Sequence, residues 1–171
     1  MIVNLAHGAS GNAASMDPHV DGLRRRGIEA RAIALPVGRA EKAVAVYASQ
    51  VEDIVNQVIG GHSYGGRVAS LLAAETGPAG LVLLSYPLHR PGHAEWETRI
   101  PHWPSITCPV LLLSGESDPF AQIGLLRKSV ERLPKAELVT YPRIGHGLAP
   151  VLDDALDQVA RFVASLSAAA G

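Results

Sequence analysis

A chain of 171 residues with 47% hydrophobic and 18% charged side chains has the composition of a globular protein rather than a disordered or collagen-like one. At this length a single domain spanning 1–171 is expected, burying roughly 70% of the surface its unfolded form exposes. A formal net charge of −1 gives no electrostatic basis for binding nucleic acid or an acidic membrane surface, and no apolar run approaches bilayer thickness.

The first apolar run, Ile2–Ala6, reads as a short strand ending in the loop His7-Gly8-Ala9-Ser10-Gly11. It is too short for a signal peptide and lacks a basic start. Met16, Val20 and Leu23 recur at helical spacing, which predicts a helix over 16–26 stopped by Gly27. Arg24-Arg25-Arg26 then complements the dipole of its last turn rather than forming a binding patch. Ile28–Leu35 alternates, turns apolar and meets Pro36, as an edge strand does. Val44, Tyr47, Val51 and Ile54 mark an amphipathic helix over 40–57. A buried strand then runs into Gly61-His62-Ser63-Tyr64-Gly65-Gly66, followed by a helix of small residues that Gly77-Pro78 closes.

Gly80–Tyr86 and Pro109–Ser114 are continuous apolar runs, expected of strands covered on both faces of a parallel sheet. Cys108, at the start of the second, reads as a small buried apolar residue. As the one cysteine it allows no intramolecular disulfide and fits a reducing, cytoplasmic compartment. Ile123, Leu126, Val130 and Leu133 mark a helix stopped by Pro134, Glu137–Tyr141 a last strand, and Leu152 to Leu166 a C-terminal helix whose tail, 167–171, frays. The alternation predicts an α/β, doubly wound, mostly parallel six-stranded sheet flanked by helices. The excess of arginine over lysine, with abundant alanine, suggests a GC-rich bacterial source.

Between Tyr86 and Cys108 the pattern breaks. Pro87, Pro91, Pro101 and Pro104 share this stretch with Trp96, Trp103, His89, His93 and His102. A connection this long is usually functional, so 87–108 is expected to be a lid-like excursion. Trp96 and Trp103 either cover the sheet edge or contact substrate. His89 and His93 stand four apart, a spacing that on a helix suits zinc, but Pro91 breaks any helix there. No metal or other cofactor is expected. Arg39 and Arg90 are candidates to meet an anionic substrate at the mouth of the site, or are simply solvated.

The chemistry centres on Gly61-x-Ser63-x-Gly65, the form of a nucleophile elbow: a serine on a strand-to-helix turn so tight that flanking side chains would clash. Gly115-Glu116-Ser117-Asp118-Pro119 and Arg143-Ile144-Gly145-His146-Gly147 each follow a predicted strand. In a parallel sheet all strand C-termini share one edge, so Ser63, Asp118 and His146 can converge there. Serine needs an adjacent base, which His146 supplies; Asp118 would orient the imidazole. Asp118 could instead cap a helix beginning at Pro119, with Glu116 in reserve. The oxyanion needs two backbone donors, for which the N–H groups of Tyr64 and Ala9 are the candidates. His7 is expected to shape the Ala9 loop through backbone hydrogen bonds, and His62 either lines the pocket or packs beside the nucleophile.

These motifs, with His7-Gly8, resemble the α/β-hydrolase superfamily across nearly the whole chain, in particular its short, capless dienelactone-hydrolase-like members. The resemblance implies a serine hydrolase acting on a small-molecule ester, thioester or similar acyl bond, without cofactor. It also implies a minimal sheet in the order 2-1-3-4-5-6, since the usual first two strands of the superfamily are absent. Dienelactone hydrolases proper carry cysteine at the elbow, where this chain has Ser63, so their substrate does not transfer. The alternatives are a non-catalytic binding or scaffold protein of the same fold, and an acyltransferase or perhydrolase using the same residues.

Overall fold

Six strands form one sheet: β1 (Val3–Ala6), β2 (Ala30–Ile33), β3 (Val58–His62), β4 (Gly80–Leu84), β5 (Val110–Gly115) and β6 (Ala136–Tyr141). Their order is β2-β1-β3-β4-β5-β6 and every neighbouring pair is parallel, as the resemblance implied. The computed structural model describes residues 1–93 and 98–169; Trp96 lies outside them.

Period-two geometry turns the apolar runs into two cores. Leu81, Leu83, Val110 and Leu112 join one with α2 (Ala40–Ala48), α3 (Tyr64–Thr76) and α4 (Ile123–Val130). Val82, Leu84, Leu111 and Leu113 join the other with α1 (Asp17–Arg25) and α5 (Leu152–Ala169). Helices on both faces make the doubly wound arrangement. Arg26 ties α1 to α5, its Nε donating to Asp157 at 2.6 Å and its Nη2 to Asp153 at 2.5 Å. The fraying expected over 167–171 does not extend to Ser167–Ala169, which belong to α5.

The helix expected over 40–57 ends at Ala48, and a 3-10 turn at Ile54–Asn56 leads into β3. The reason is length. Eighteen helical residues would span roughly 27 Å, whereas the four-residue strands β1 and β2 are about 13 Å long. Gln50, just past the helix, exchanges two hydrogen bonds with the backbone of Ala34 at the end of β2. Tyr47 of α2 is fully buried beneath β3. Its hydroxyl accepts from the Gly60 N–H at 3.0 Å and faces the carbonyls of Asn4 at 2.7 Å and Gly60 at 2.8 Å.

Much of the described part of the excursion at 87–108 is built into the core. Leu88, Ile100, Trp103 and Ile106 are all 0% exposed and belong to the core on the α2–α3–α4 face. Trp103 meets Tyr86 edge-on with ring centroids 5.0 Å apart. The expectation that Trp103 touches substrate is therefore corrected: a flat apolar ring next to small-residue α3 fills the core instead. Cys108 is buried as expected, and burial pushes its thiol up to about 11. His102 donates to Ser70 Oγ at 2.8 Å, while that hydroxyl donates to the Arg67 carbonyl at 2.7 Å.

Burial, with the Arg67 charge adding to it, lowers His102 to about 4. The unfolded chain, with histidine near 6.5, then binds the proton more readily, so this contribution to stability is complete above pH 6.5 and is lost as the pH falls toward 4. Thermal unfolding of His102→Asn is expected to fall less steeply between pH 6.5 and 4.5 than that of the wild type. Parallel curves for the two proteins would show that His102 does not contribute.

Candidate active site

β3 ends at His62, and Ser63 follows with φ 50° and ψ −114° before α3 begins at Tyr64. Such a left-handed conformation in a residue with a Cβ costs roughly 1–3 kcal/mol and persists only where its surroundings impose it. Here the Ser63 N–H is held by the Leu84 carbonyl at 2.8 Å, extending the β3–β4 ladder one residue beyond the strand. A Cβ on Gly61 would stand 2.5 Å from the Ala6 carbonyl oxygen and 2.6 Å from the Gly65 carbonyl carbon; one on Gly65 would stand 2.6 Å from the His7 carbonyl oxygen. Only glycine at both positions lets α3 start this close to β1.

The turn after β5 presents Asp118, whose side chain is 0% exposed. Its Oδ1 accepts the Phe120 N–H at 2.8 Å and its Oδ2 faces His146 Nδ1 at 2.8 Å. Pro119 does not open a helix as expected: Pro119 and Phe120 form a turn, and α4 starts at Ile123, capped by the Gln122 side chain. Glu116, the reserve candidate, is engaged elsewhere, accepting from Thr140 Oγ1 at 2.7 Å and Arg127 at 3.2 Å.

His146 sits on the loop after β6. That loop lies against Gly115, where a Cβ would come within 2.6 Å of the Ile144 carbonyl carbon, and the Ser117 N–H donates to the Ile144 carbonyl at 2.9 Å. His146 Nε2 lies 2.8 Å from Ser63 Oγ. Since Nδ1 faces a carboxylate, it carries the proton, and Nε2 accepts from the serine hydroxyl. The imidazole stacks on Phe120 with centroids 4.3 Å apart. His62 Nε2 donates to the His146 carbonyl at 3.2 Å, and burial lowers the pKa of His62, keeping it neutral. A hydroxyl, an imidazole of defined tautomer and a buried carboxylate thus form one hydrogen-bonded chain, along which the serine proton can pass to the ring.

His7 does what its sequence position suggested. Its Nε2 accepts the Leu35 N–H at 3.0 Å, so Nδ1 carries the proton and donates to the Gly8 carbonyl at 2.8 Å, shaping the loop that holds Ala9. His89 repeats the device, accepting from the Gln122 N–H at 3.0 Å and donating to the Arg90 carbonyl at 2.8 Å. Both its ring nitrogens are thereby occupied. Among the described residues no group of three or more His, Cys, Asp or Glu side chains is placed to hold a metal ion. Among the described residues no helix is long and apolar enough to cross a membrane.

Ser63, His146, His62 and Ala9 border a cavity of about 660 Å³, whose walls include Met16, Phe120, Leu148 and Leu152. Neither Arg39, which stands 3.8 Å from Glu41, nor Arg90 borders it. Sequence reasoning missed Met16 and Leu152, which looked like ordinary helix core, and Phe120, which follows the acid without any periodic signal. It also missed His19, which lies between Met16 and Val20 of the predicted helix and carries no motif of its own.

A family model described as an alpha/beta hydrolase domain matches residues 30–166, well over half of the chain. The chain belongs to the alpha/beta hydrolase family. Solved structures agree on the fold. The monoacylglycerol lipase of Paleococcus ferrophilus superposes with a TM-score of 0.82 at 16% identity, covering 96% of this chain and 94% of the lipase. Est1E of Butyrivibrio proteoclasticus, with ferulic acid bound, gives 0.78 at 17% identity, covering 98% and 89%. A thermophilic esterase of Thermogutta terrifontis, with malate bound, gives 0.73 at 16% identity, covering 97% and 90%. A comparison with curated protein sequences finds no match.

The alpha/beta hydrolase elbow makes a sharp prediction about its glycines. Gly65→Ala drives a methyl group into backbone and is expected to cost about 1–3 kcal/mol or more in urea unfolding. Gly77→Ala, at φ 59° with nothing within 4 Å of the added carbon, should cost about 1 kcal/mol from backbone strain alone. Equal losses at the two positions would rule out close approach as the reason for Gly65.

Proposed function

We propose that this protein is a serine hydrolase of one domain that cleaves an ester, thioester or similar acyl bond of a small molecule. The observation carrying the reading is the chain Ser63 Oγ to His146 Nε2 to Asp118 Oδ2, with both links at 2.8 Å. Ser63 Oγ attacks the acyl carbon as His146 Nε2 takes its proton, and Asp118 stabilises the resulting imidazolium. The tetrahedral intermediate collapses, His146 returns the proton to the leaving oxygen or sulfur, and the acyl group stays on Ser63. Water, deprotonated by the same imidazole, then attacks the acyl-enzyme, and the acid leaves as Ser63 recovers its proton.

The developing oxyanion is received by the N–H groups of Tyr64 and Ala9. Tyr64 opens α3, so its N–H has no intrahelical acceptor, and the helix terminus favours negative charge. Ala9 borders the cavity beside Ser63. Each such donor is worth roughly 3–4 kcal/mol in the transition state. The apolar walls of the cavity suit an acyl group, and the lipase and esterases of similar fold are in keeping with ester chemistry.

Short p-nitrophenyl esters are expected to be turned over, with Ser63→Ala losing nearly all of the rate and Asp118→Asn losing roughly 10³- to 10⁴-fold in kcat. A fluorophosphonate should label Ser63 in the wild type and leave the alanine variant unlabelled. Equal hydrolysis by wild type and Ser63→Ala ends the proposal, and a folded protein that resists the label is a binding protein instead.

His62 acts as a positioning residue, through the carbonyl of His146. His62→Phe should lower kcat about five- to tenfold with little change in KM, and His62→Gln, whose amide can donate to the same carbonyl, should recover part of the loss. A change confined to KM would place His62 in substrate binding.

A further inference from the structure

One face of the His146 imidazole is covered. The ring of Phe120 lies against it with centroids 4.3 Å apart and planes tilted by 33°, closer to stacked than to edge-on. Nothing in the proton transfer described above uses this ring, which carries neither a proton nor a charge. Its backbone is nevertheless held at both ends. Asp118 Oδ1, on the carboxylate whose other oxygen faces His146, accepts the Phe120 N–H at 2.8 Å. The Phe120 carbonyl accepts the His89 N–H at 2.9 Å. His89 adds a second tie two residues on, its Nε2 accepting the Gln122 N–H at 3.0 Å. His89 is itself buried, and Leu88 beside it belongs to the core. The excursion after β4 thus braces the turn that carries Phe120.

The stack matters when the imidazole changes charge. An aromatic ring presents a negative face, and a cation within roughly 6 Å of its centre is attracted to it. The His146 ring is uncharged while it accepts the serine hydroxyl and positive once it has taken the proton. An attraction that grows between those two states lowers the barrier without tightening the binding of substrate. Screening by water is limited here, since the Asp118 side chain is 0% exposed and that of His146 24%.

We propose that Phe120 stabilises the imidazolium formed on His146 through the face of its ring, and that His89 is the positioning residue that holds it there. This rests on the serine hydrolase reading and adds to Asp118 a second source of charge stabilisation. It also gives the start of the 87–108 excursion a part in the chemistry.

The test replaces Phe120 site-specifically with 4-fluoro- and then 3,4,5-trifluorophenylalanine, which nearly keep the shape of the ring while draining negative charge from its face. On a short p-nitrophenyl ester kcat should fall stepwise, by about five- to tenfold for the trifluorinated ring, with little change in KM. A ring that serves only as a wall would leave kcat unmoved along this series. That result overturns the proposal, as does a loss confined to KM. His89→Leu, or His89→Ser should the leucine variant not fold, should lower kcat about threefold in the native chain. The same change should cost nothing further once position 120 is trifluorinated. Equal losses in the two backgrounds overturn the role of His89. A second measurement needs no turnover. By NMR, the ring-current shift of the His146 ring protons should vanish in Phe120→Leu and shrink in the His89 variant. A shift that either change leaves intact overturns the stack or the brace respectively. A wild type that shows this shift but reacts with neither the ester nor a fluorophosphonate overturns the hydrolase reading and the charge role resting on it, and supports the brace alone.

Discussion

The close approach of backbone to backbone where β1, β3 and the start of α3 meet is the constraint on which the rest depends. Ser63 holds φ 50° because three neighbouring elements leave it no other path. The carbonyls of Ala6 and His7 stand where any side chain on Gly61 or Gly65 would have to go. A strand this thin cannot pack by side chains alone, and Tyr47 makes up the difference from α2, reaching beneath Gly60 with a hydroxyl that serves both N–H and C=O groups. The same thinness exposes Ser63 Oγ at the end of the sheet. Local strain there is balanced by two large cores built from β4 and β5, whose residues are nearly all inaccessible.

Around this centre the protein uses neutral histidines as cross-links between loops. His7 joins the β1 loop to the end of β2, and His89 joins the excursion after β4 to the cap of α4. In each, one ring nitrogen accepts an amide proton and the other donates to the next carbonyl in the chain. Such a ring replaces a pair of backbone hydrogen bonds where no ladder can form, satisfying groups that would otherwise be stranded in a partly dry region. His102 does similar service for α3 through Ser70.

The parallel α/β sheet and the convergence of Ser63, Asp118 and His146 at one edge were legible in the sequence because they rest on local, strongly patterned signals, whereas the strand order followed only from the resemblance to the α/β hydrolases. Continuous apolar runs mark doubly covered strands, and glycines bracket the elbow and the histidine loop. What escaped depends on three-dimensional fit. The stripe of Val44, Tyr47, Val51 and Ile54 keeps helical spacing past the point where the strand length forces the chain to turn back. Proline and tryptophan in 87–108 suggested a lid, yet Trp103 goes into the core, which composition alone cannot distinguish. His19 and Phe120 join the cavity only because α1 and the turn after Asp118 approach each other in space.

The hydrogen bond from His62 to the carbonyl of His146 has a consequence for how the site tolerates motion. Ser63 and His146 are separated by 83 positions in the chain and sit on strands at different places in the sheet. Yet His62 is bonded covalently to Ser63, and its ring grips the backbone of His146 itself. The hydroxyl and the imidazole are thereby linked through one peptide unit and one side chain as well as across β4 and β5, the two strands between β3 and β6. Twisting and breathing of the sheet can carry the two groups together without parting them.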